Sequence, residues 1–168
     1  TVSPGYLCWV WVEEAFEIAG ALVQTLTTDA LTQYMPQMLA ICCQRMSTTS
    51  SARSHRHFAV FFCRLVLAHG MPAFIRWADT VQPHLVNSIA AAELTKHVGA
   101  ICAPADRRFC AAAFAHICCA SDVLLRDEYL QAWGALVHCA LRLLNACTTL
   151  SPDALLDRAG AAALDGSV

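Results

Sequence analysis

Charge is scarce in this chain. Asp, Glu, Lys and Arg make up 14% of its 168 residues and apolar residues 57%, against roughly 25% and 45–50% in ordinary globular chains. A free domain of this length would show water a more polar surface. The pattern therefore predicts that helices stack on further helices, or that the chain belongs to something longer. A formal net charge of −2 gives no general attraction to nucleic acid or to an anionic membrane. Long apolar runs are missing as well. A membrane span needs about 20 residues with few charges, but Glu13, Glu14 and Glu17 break the first candidate, Arg64 the second, and His138 with Arg142 the last. No basic lead precedes the Trp-rich start, so no secretory signal is read. The expectation is a soluble intracellular protein that does not insert into membranes.

Catalytic signatures are lacking too. There is no Gly-rich phosphate loop, no G-x-S-x-G and no H-E-x-x-H, so neither an enzyme nor a cofactor is expected. Ten cysteines are present, yet none in a Cys-x-x-Cys spacing. Cys42-Cys43 and Cys118-Cys119 are adjacent, and neighbours on a helix point about 100° apart, which suits chelation poorly. Cys63, Cys102, Cys110, Cys139 and Cys147 lie in apolar helical stripes. They read as buried free thiols acting as small hydrophobes; a helical thiol or metal-binding protein is the alternative.

What is present is helical periodicity, organised around Ser51 to Pro83. Phe58, Phe61, Phe62, Leu65 and His69 define one face of a helix, and Val60, Cys63 and Leu67 a second. A helix apolar on two faces is covered on both sides. Gly70 can take the left-handed conformation that closes it, and Pro72 suits the first turn of the next helix, whose stripe is Phe74, Trp77, Ala78 and Val81.

The flanking segments follow the same pattern. Upstream, Leu7, Val10, Trp11, Ala15, Ile18, Ala19, Leu22 and Leu26 mark a first helix, with Gly20 a weak point. Leu31, Tyr34, Met35, Met38, Leu39 and Cys42 mark a second, in which Pro36 predicts a kink or a separate first turn. Downstream, a helix from Pro83 carries Leu85, Ile89, Leu94, Val98 and Ile101; one over 104–120 packs Phe109, Ala112, Ala113, His116 and Ile117; and a long one carries Leu130, Trp133, Val137, Ala140, Leu141 and Leu144. Ser151-Pro152-Asp153 starts a short C-terminal helix over 152–159. The fold class expected is all-α: an α-α superhelix of HEAT-like repeats, as three helix pairs over 6–46, 52–98 and 105–147. Ends of such a solenoid stay apolar unless capped, which accounts for the composition.

Four polar clusters invite chemistry. His55-x-His57 beside Arg53 and Arg56 reads as a solvated helix start; as a metal site it would need a third ligand from elsewhere. His116 with Cys118 and Cys119 offers chelating groups but reads as a hydrogen-bonded core histidine, Asp127-Glu128 offers a paired acid site but reads as a helix-start charge pair, and Arg107-Arg108 reads as exposed first-turn residues or as a phosphate or partner contact. Trp9 and Trp11 either dock a partner or are covered by a preceding repeat. No catalytic, cofactor or metal residue is assigned.

The order and spacing of several motifs resemble the C-terminal part of the CAS family, the importin-α re-exporters of the importin-β (karyopherin) superfamily. The likeness runs from about Ile18 to Leu144. It is carried by Tyr34 with Gln44-Arg45-Met46, by Phe61-Phe62, by His69-Gly70-Met71 and by Asp79-Thr80-Val81-Gln82-Pro83. It continues in Asp106-Arg107-Arg108-Phe109-Cys110-Ala111 and in Asp127-Glu128-Tyr129 with Trp133 and Leu136. The resemblance implies HEAT repeats and nucleocytoplasmic shuttling: members bind importin-α together with the GTP form of Ran in the nucleus and release both in the cytoplasm. Ran would be held mainly by repeats absent from this chain. The second helix of each pair would line the cargo-facing surface, which makes Gln37, Gln44, Asn87, Lys96, Gln131 and Arg142 the candidate partner contacts. A HEAT-repeat scaffold with another protein partner remains the alternative.

Overall fold

The computed structural model describes residues 4–148, with side chains from Glu14 onward. The helix expected over 152–159 and the side chains of Trp9 and Trp11 lie outside the described residues. Helix α1 spans Pro4–Thr25 and is followed by the single-turn α2, Thr28–Thr32. The Thr27 hydroxyl accepts the Ala30 N–H at 3.4 Å, and Asp29 sits in the first turn, where a helix favours negative charge. Pro36 falls in the first turn of α3, Met35–Thr48, where its missing N–H costs nothing. The separate first turn expected at that proline is thus what forms.

Ser51 caps α4, Ala52–His69, by accepting the Ser54 N–H at 3.3 Å. Gly70 closes it with φ 81° and ψ 155°, a mirror-image extended conformation rather than the left-handed helical one expected, and one in which a side chain is strained. Helix α5, Met71–Val81, then departs at 120° to α4. Gly70→Ala should cost about 1–3 kcal/mol; a denaturation midpoint equal to the parent's would show that the break tolerates a Cβ.

The helix expected from Pro83 starts at Leu85 instead, because His84 takes a left-handed conformation (φ 56°) that closes the turn. It runs as α6, Leu85–Ser88, a π-wound segment, Ile89–Leu94, and α7, Thr95–His97, ending in a 3-10 turn at Val98–Ala100. The Thr95 hydroxyl donates back to the Ala90 carbonyl at 2.9 Å. Its five expected core residues, Leu85, Ile89, Leu94, Val98 and Ile101, are all buried. Helix α8, Pro104–Ala120, two 3-10 turns at Asp122–Leu125 and Asp127–Tyr129, and α9, Leu130–Thr148, complete the described chain.

The helices form two rows. In one, α4 packs between α1 and α8; in the other, α3 packs on α5 and α9 on the π-wound segment, with α8 and α9 closely paired. No strand occurs among the described residues. The core is centred on α4, where Phe58, Phe61, Phe62 and Leu65 are buried, together with Phe74 and Trp77 of α5 and Phe114 of α8. This is an all-α helical-repeat superhelix.

Three expected helix faces are displaced. On α1 the covered residues are Phe16, Gly20 and Val23, while Ile18, Leu22 and, just past its end, Leu26 are exposed. Gly20 is a contact rather than a weak point: a Cβ there would stand 3.0 Å from Arg64 Nη1. On α8 the face is Cys110, Ala113, Phe114 and Ile117, which leaves Ala112 and His116 in water. On α9 it is Ala132, Leu136, Cys139, Ala140 and Leu143, with Leu130, Leu141 and Leu144 exposed. The exposed leucines and isoleucines of α1, α3 and α9 lie on the outermost helices, as a stack of repeats requires.

Candidate interaction surface

Polar side chains join one helix pair to the next. Asp79, at the end of α5, accepts the His84 N–H at 2.9 Å and the Tyr129 O–H at 2.8 Å, so one carboxylate closes a turn and ties the middle pair to α9. Burial, and then the bond to Asp79, push the Tyr129 hydroxyl up to about 12, and it stays a donor. His69 donates Nε2–H to the Val23 carbonyl at 2.8 Å and accepts the Thr28 hydroxyl at Nδ1 at 3.0 Å. Trp77 lies edge-on to the His69 ring and donates to Thr32 at 3.2 Å, which fixes α2 to α5.

Arg107 is the largest of these joints. Its Nε, Nη1 and Nη2 donate to the carbonyls of Ile101, Ala146 and Cys102 at 3.2, 3.1 and 3.2 Å. The expected exposed contact is therefore a cap on two helix ends, and only Arg108 faces water. His116 is exposed rather than a core histidine, and Asp127 and Glu128 are exposed at the start of a 3-10 turn. His55 also departs from expectation: it is 4% exposed, not solvated.

The six candidate partner contacts do not converge on one pocket. Gln37 and Gln44 are exposed on α3, Lys96 on α7, and Gln131 and Arg142 on α9. Gln37 borders an apolar groove of about 420 Å³ between α1 and α3, lined also by Phe16, Tyr34, Met38 and Ile41. Arg142 lies over Gly99, beside a cleft of about 90 Å³ that it shares with Arg107. Asn87 is used internally: its amide donates to the Glu128 carbonyl at 2.7 Å, and its oxygen accepts the Ala132 N–H at 3.1 Å. The i, i+3 position of an amide residue gives no sign of such a role; only the pairing of helices does.

The nine described cysteines are free. Cys63, Cys110 and Cys139 are fully buried, and burial pushes the Cys63 thiol well above its ordinary value. Burial first, and then a neighbouring charge in each case, push Cys42, Cys43 and Cys118 up to about 11. Only Cys102 and Cys119 are exposed among these nine. A thiol reagent should label those two within minutes and Cys63, Cys110 and Cys139 only after denaturation; rapid labelling of the buried three, mapped by peptide mass, would contradict this packing.

Two rows of stacked helices, stitched across the pairs by Asp79, Asn87 and Arg107, define a protein of the helical-repeat superhelix class. A family model described as CAS/CSE protein, C-terminus, matches residues 12–160. The chain belongs to that family, in its C-terminal region. It is 18% identical to exportin-2 of Xenopus laevis, 19% to that of Oreochromis niloticus and 20% to that of Danio rerio, in each case over 130 residues, 77% of this chain. The match covers 13% of the length of each of these relatives. No solved structure matches the chain.

Proposed function

We propose that this chain is the C-terminal HEAT-repeat segment of a nuclear export receptor that returns importin-α to the cytoplasm with Ran-GTP. The observation that carries the reading is the family match over residues 12–160, joined by likeness to exportin-2 over most of the chain. The segment works by binding, through a surface of stacked second helices, and not by catalysis. Gln37, Gln44, Lys96, Gln131 and Arg142 contribute exposed side chains to that row. Asn87 supports the surface from within, because both ends of its amide are already engaged. Ran-GTP is held mainly by repeats outside this chain, and the receptor shuttles between nucleus and cytoplasm.

The test is capture of importin-α by the full-length receptor that carries this segment, with Ran loaded with GTP or with GDP. Capture with Ran-GTP alone is expected, and no capture in either nucleotide state sinks the reading. Replacing Gln37, Gln44 and Lys96 together by Ala should weaken capture while shifting stability by no more than about 0.5 kcal/mol, as exposed positions do. Unchanged affinity would remove α3 and α7 from the contact surface.

A further inference from the structure

A histidine and a carboxylate meet without a hydrogen bond between them at the start of α4. His55 is 4% exposed, and its Nε2 lies 3.2 Å from the Thr49 carbonyl oxygen. A carbonyl only accepts, so Nε2 carries the hydrogen, and Nδ1 of the neutral ring is a bare lone pair. Nδ1 lies 3.5 Å from Glu93 Oε2, and both atoms are buried with no hydrogen-bond partner. Two acceptors this close, each without a donor, call for a cation between them, a proton or a metal ion. His97, one turn beyond Glu93 on the same helix, lies flat on the His55 ring with centroids 3.5 Å apart and planes 3° from parallel. The ligand atoms of the three residues all fall within 4.8 Å of one another.

We propose that His55, Glu93 and His97 hold one divalent transition-metal ion, with Zn²⁺ the best match to the ligand set. A proton on Nδ1 is the competing occupant, but a charge-assisted N–H···O bond closes to about 2.7–2.9 Å, and the gap here is 3.5 Å. Two ligands on a tetrahedral Zn²⁺, with bonds of about 2.1 Å, stand about 3.4 Å apart. The bond from Nε2–H to the Thr49 carbonyl is the outer partner that a metal-bound histidine takes, fixing its tautomer and aiming Nδ1 inward. His97 is half-buried, and binding requires its ring to rotate off the stack on His55 so that a ring nitrogen faces the ion; water takes the fourth position.

The placement also gives the π-wound segment a use. Glu93 lies inside Ile89–Leu94 and His97 closes α7 just after it, so the extra residue per turn sets the bearing of both toward α4. A metal there pins the start of the middle pair's first helix to the end of its second. It is a structural staple built on buried and half-buried side chains, with the exposed Lys96 next to His97.

The experiment uses the whole chain, stripped with chelator and titrated calorimetrically with Zn²⁺ alone. One equivalent should bind and raise the melting temperature. His97→Ala and Glu93→Gln should each weaken binding by about 100-fold or more, with helical circular dichroism unchanged, while His116→Ala leaves it as it was. Co²⁺ in its place should show d–d absorption without thiolate charge transfer. Three results overturn the proposal: no saturable binding by the folded chain; binding that survives His97→Ala and Glu93→Gln together; or binding lost with Cys102 and Cys119 but kept without His97.

Discussion

Phe62→Asp leaves no cooperatively folded chain. Phe62 is 2% exposed at the middle of α4, with the Phe74 ring edge-on at 5.0 Å and Phe114 at 6.3 Å, so it touches α5 and α8 at once. Deleting a buried Phe side chain costs about 3–5 kcal/mol. Burying an unpaired carboxylate in its place adds several more unless the group takes up a proton. Domains of this size have only about 5–15 kcal/mol to lose, and here both rows rest on the helix that is damaged. Two companions separate the core from the helix that carries it. Phe62→Leu keeps an apolar group and should lose about 1–2 kcal/mol, and Leu67→Asp, one turn further along α4 at a position 41% exposed, should shift stability by about 0.5 kcal/mol or less. Far-UV circular dichroism during thermal melting reads all three. A Phe62→Asp chain that melts as the parent does would place the core elsewhere.

The contrast between Phe62 and Leu67 also marks what the sequence can show. Breaks were legible because they have local causes: Pro36 cannot continue a helix, and the angles at Gly70 are ones that a side chain strains; the Ser51 cap shows only in the structure. The face of α4 was legible because three aromatic residues repeat on it. The faces of α1, α8 and α9 were displaced for the opposite reason. Their apolar residues run most of the way round, and periodicity identifies an apolar face without saying which neighbour covers it. On α1, Ile18 and Leu22 form as good a stripe as Phe16, Gly20 and Val23, and only the approach of Arg64 to Gly20 shows which one is inside.

Polar residues were harder still. Gln37 and Gln44 are exposed on α3, whereas Asn87 has the same character in sequence and is consumed by Glu128 and Ala132. His55 reads as solvated because it stands among Arg53, Arg56 and His57. Its partners Glu93 and His97 arrive from the other helix of the pair, so no local pattern could join them. The motifs behind the family resemblance proved to be joints: Asp79 meets Tyr129, and Phe61-Phe62 and Met71 are core.

Arg107→Ala should cost about 3 kcal/mol, more than any exposed residue of the same helix. One guanidinium serves three carbonyls, two of them just beyond the 3-10 turn that ends the middle pair and the third in the last turn of α9. Carbonyls at helix ends have no partner within the helix, and a positive charge there also opposes the negative end of the helix dipole. Hydrogen bonds to a charged donor contribute about 1.5–3 kcal/mol each when dry, but Arg107 is half-buried and water replaces part of what is lost, so the sum falls well short of three full bonds. Arg107→Lys tests the geometry apart from the charge. An ammonium is a point donor on a flexible stem and cannot spread over Ile101, Cys102 and Ala146 as a planar fork does, so Lys should recover less than half of the loss. Arg108→Ala, one residue on and facing water, should change stability by about 0.5 kcal/mol or less. Urea midpoints at unchanged slope measure the series. Equal losses at Arg107 and Arg108, or full recovery by Lys, would mean that charge in the first turn of α8 matters and the three-carbonyl fork does not.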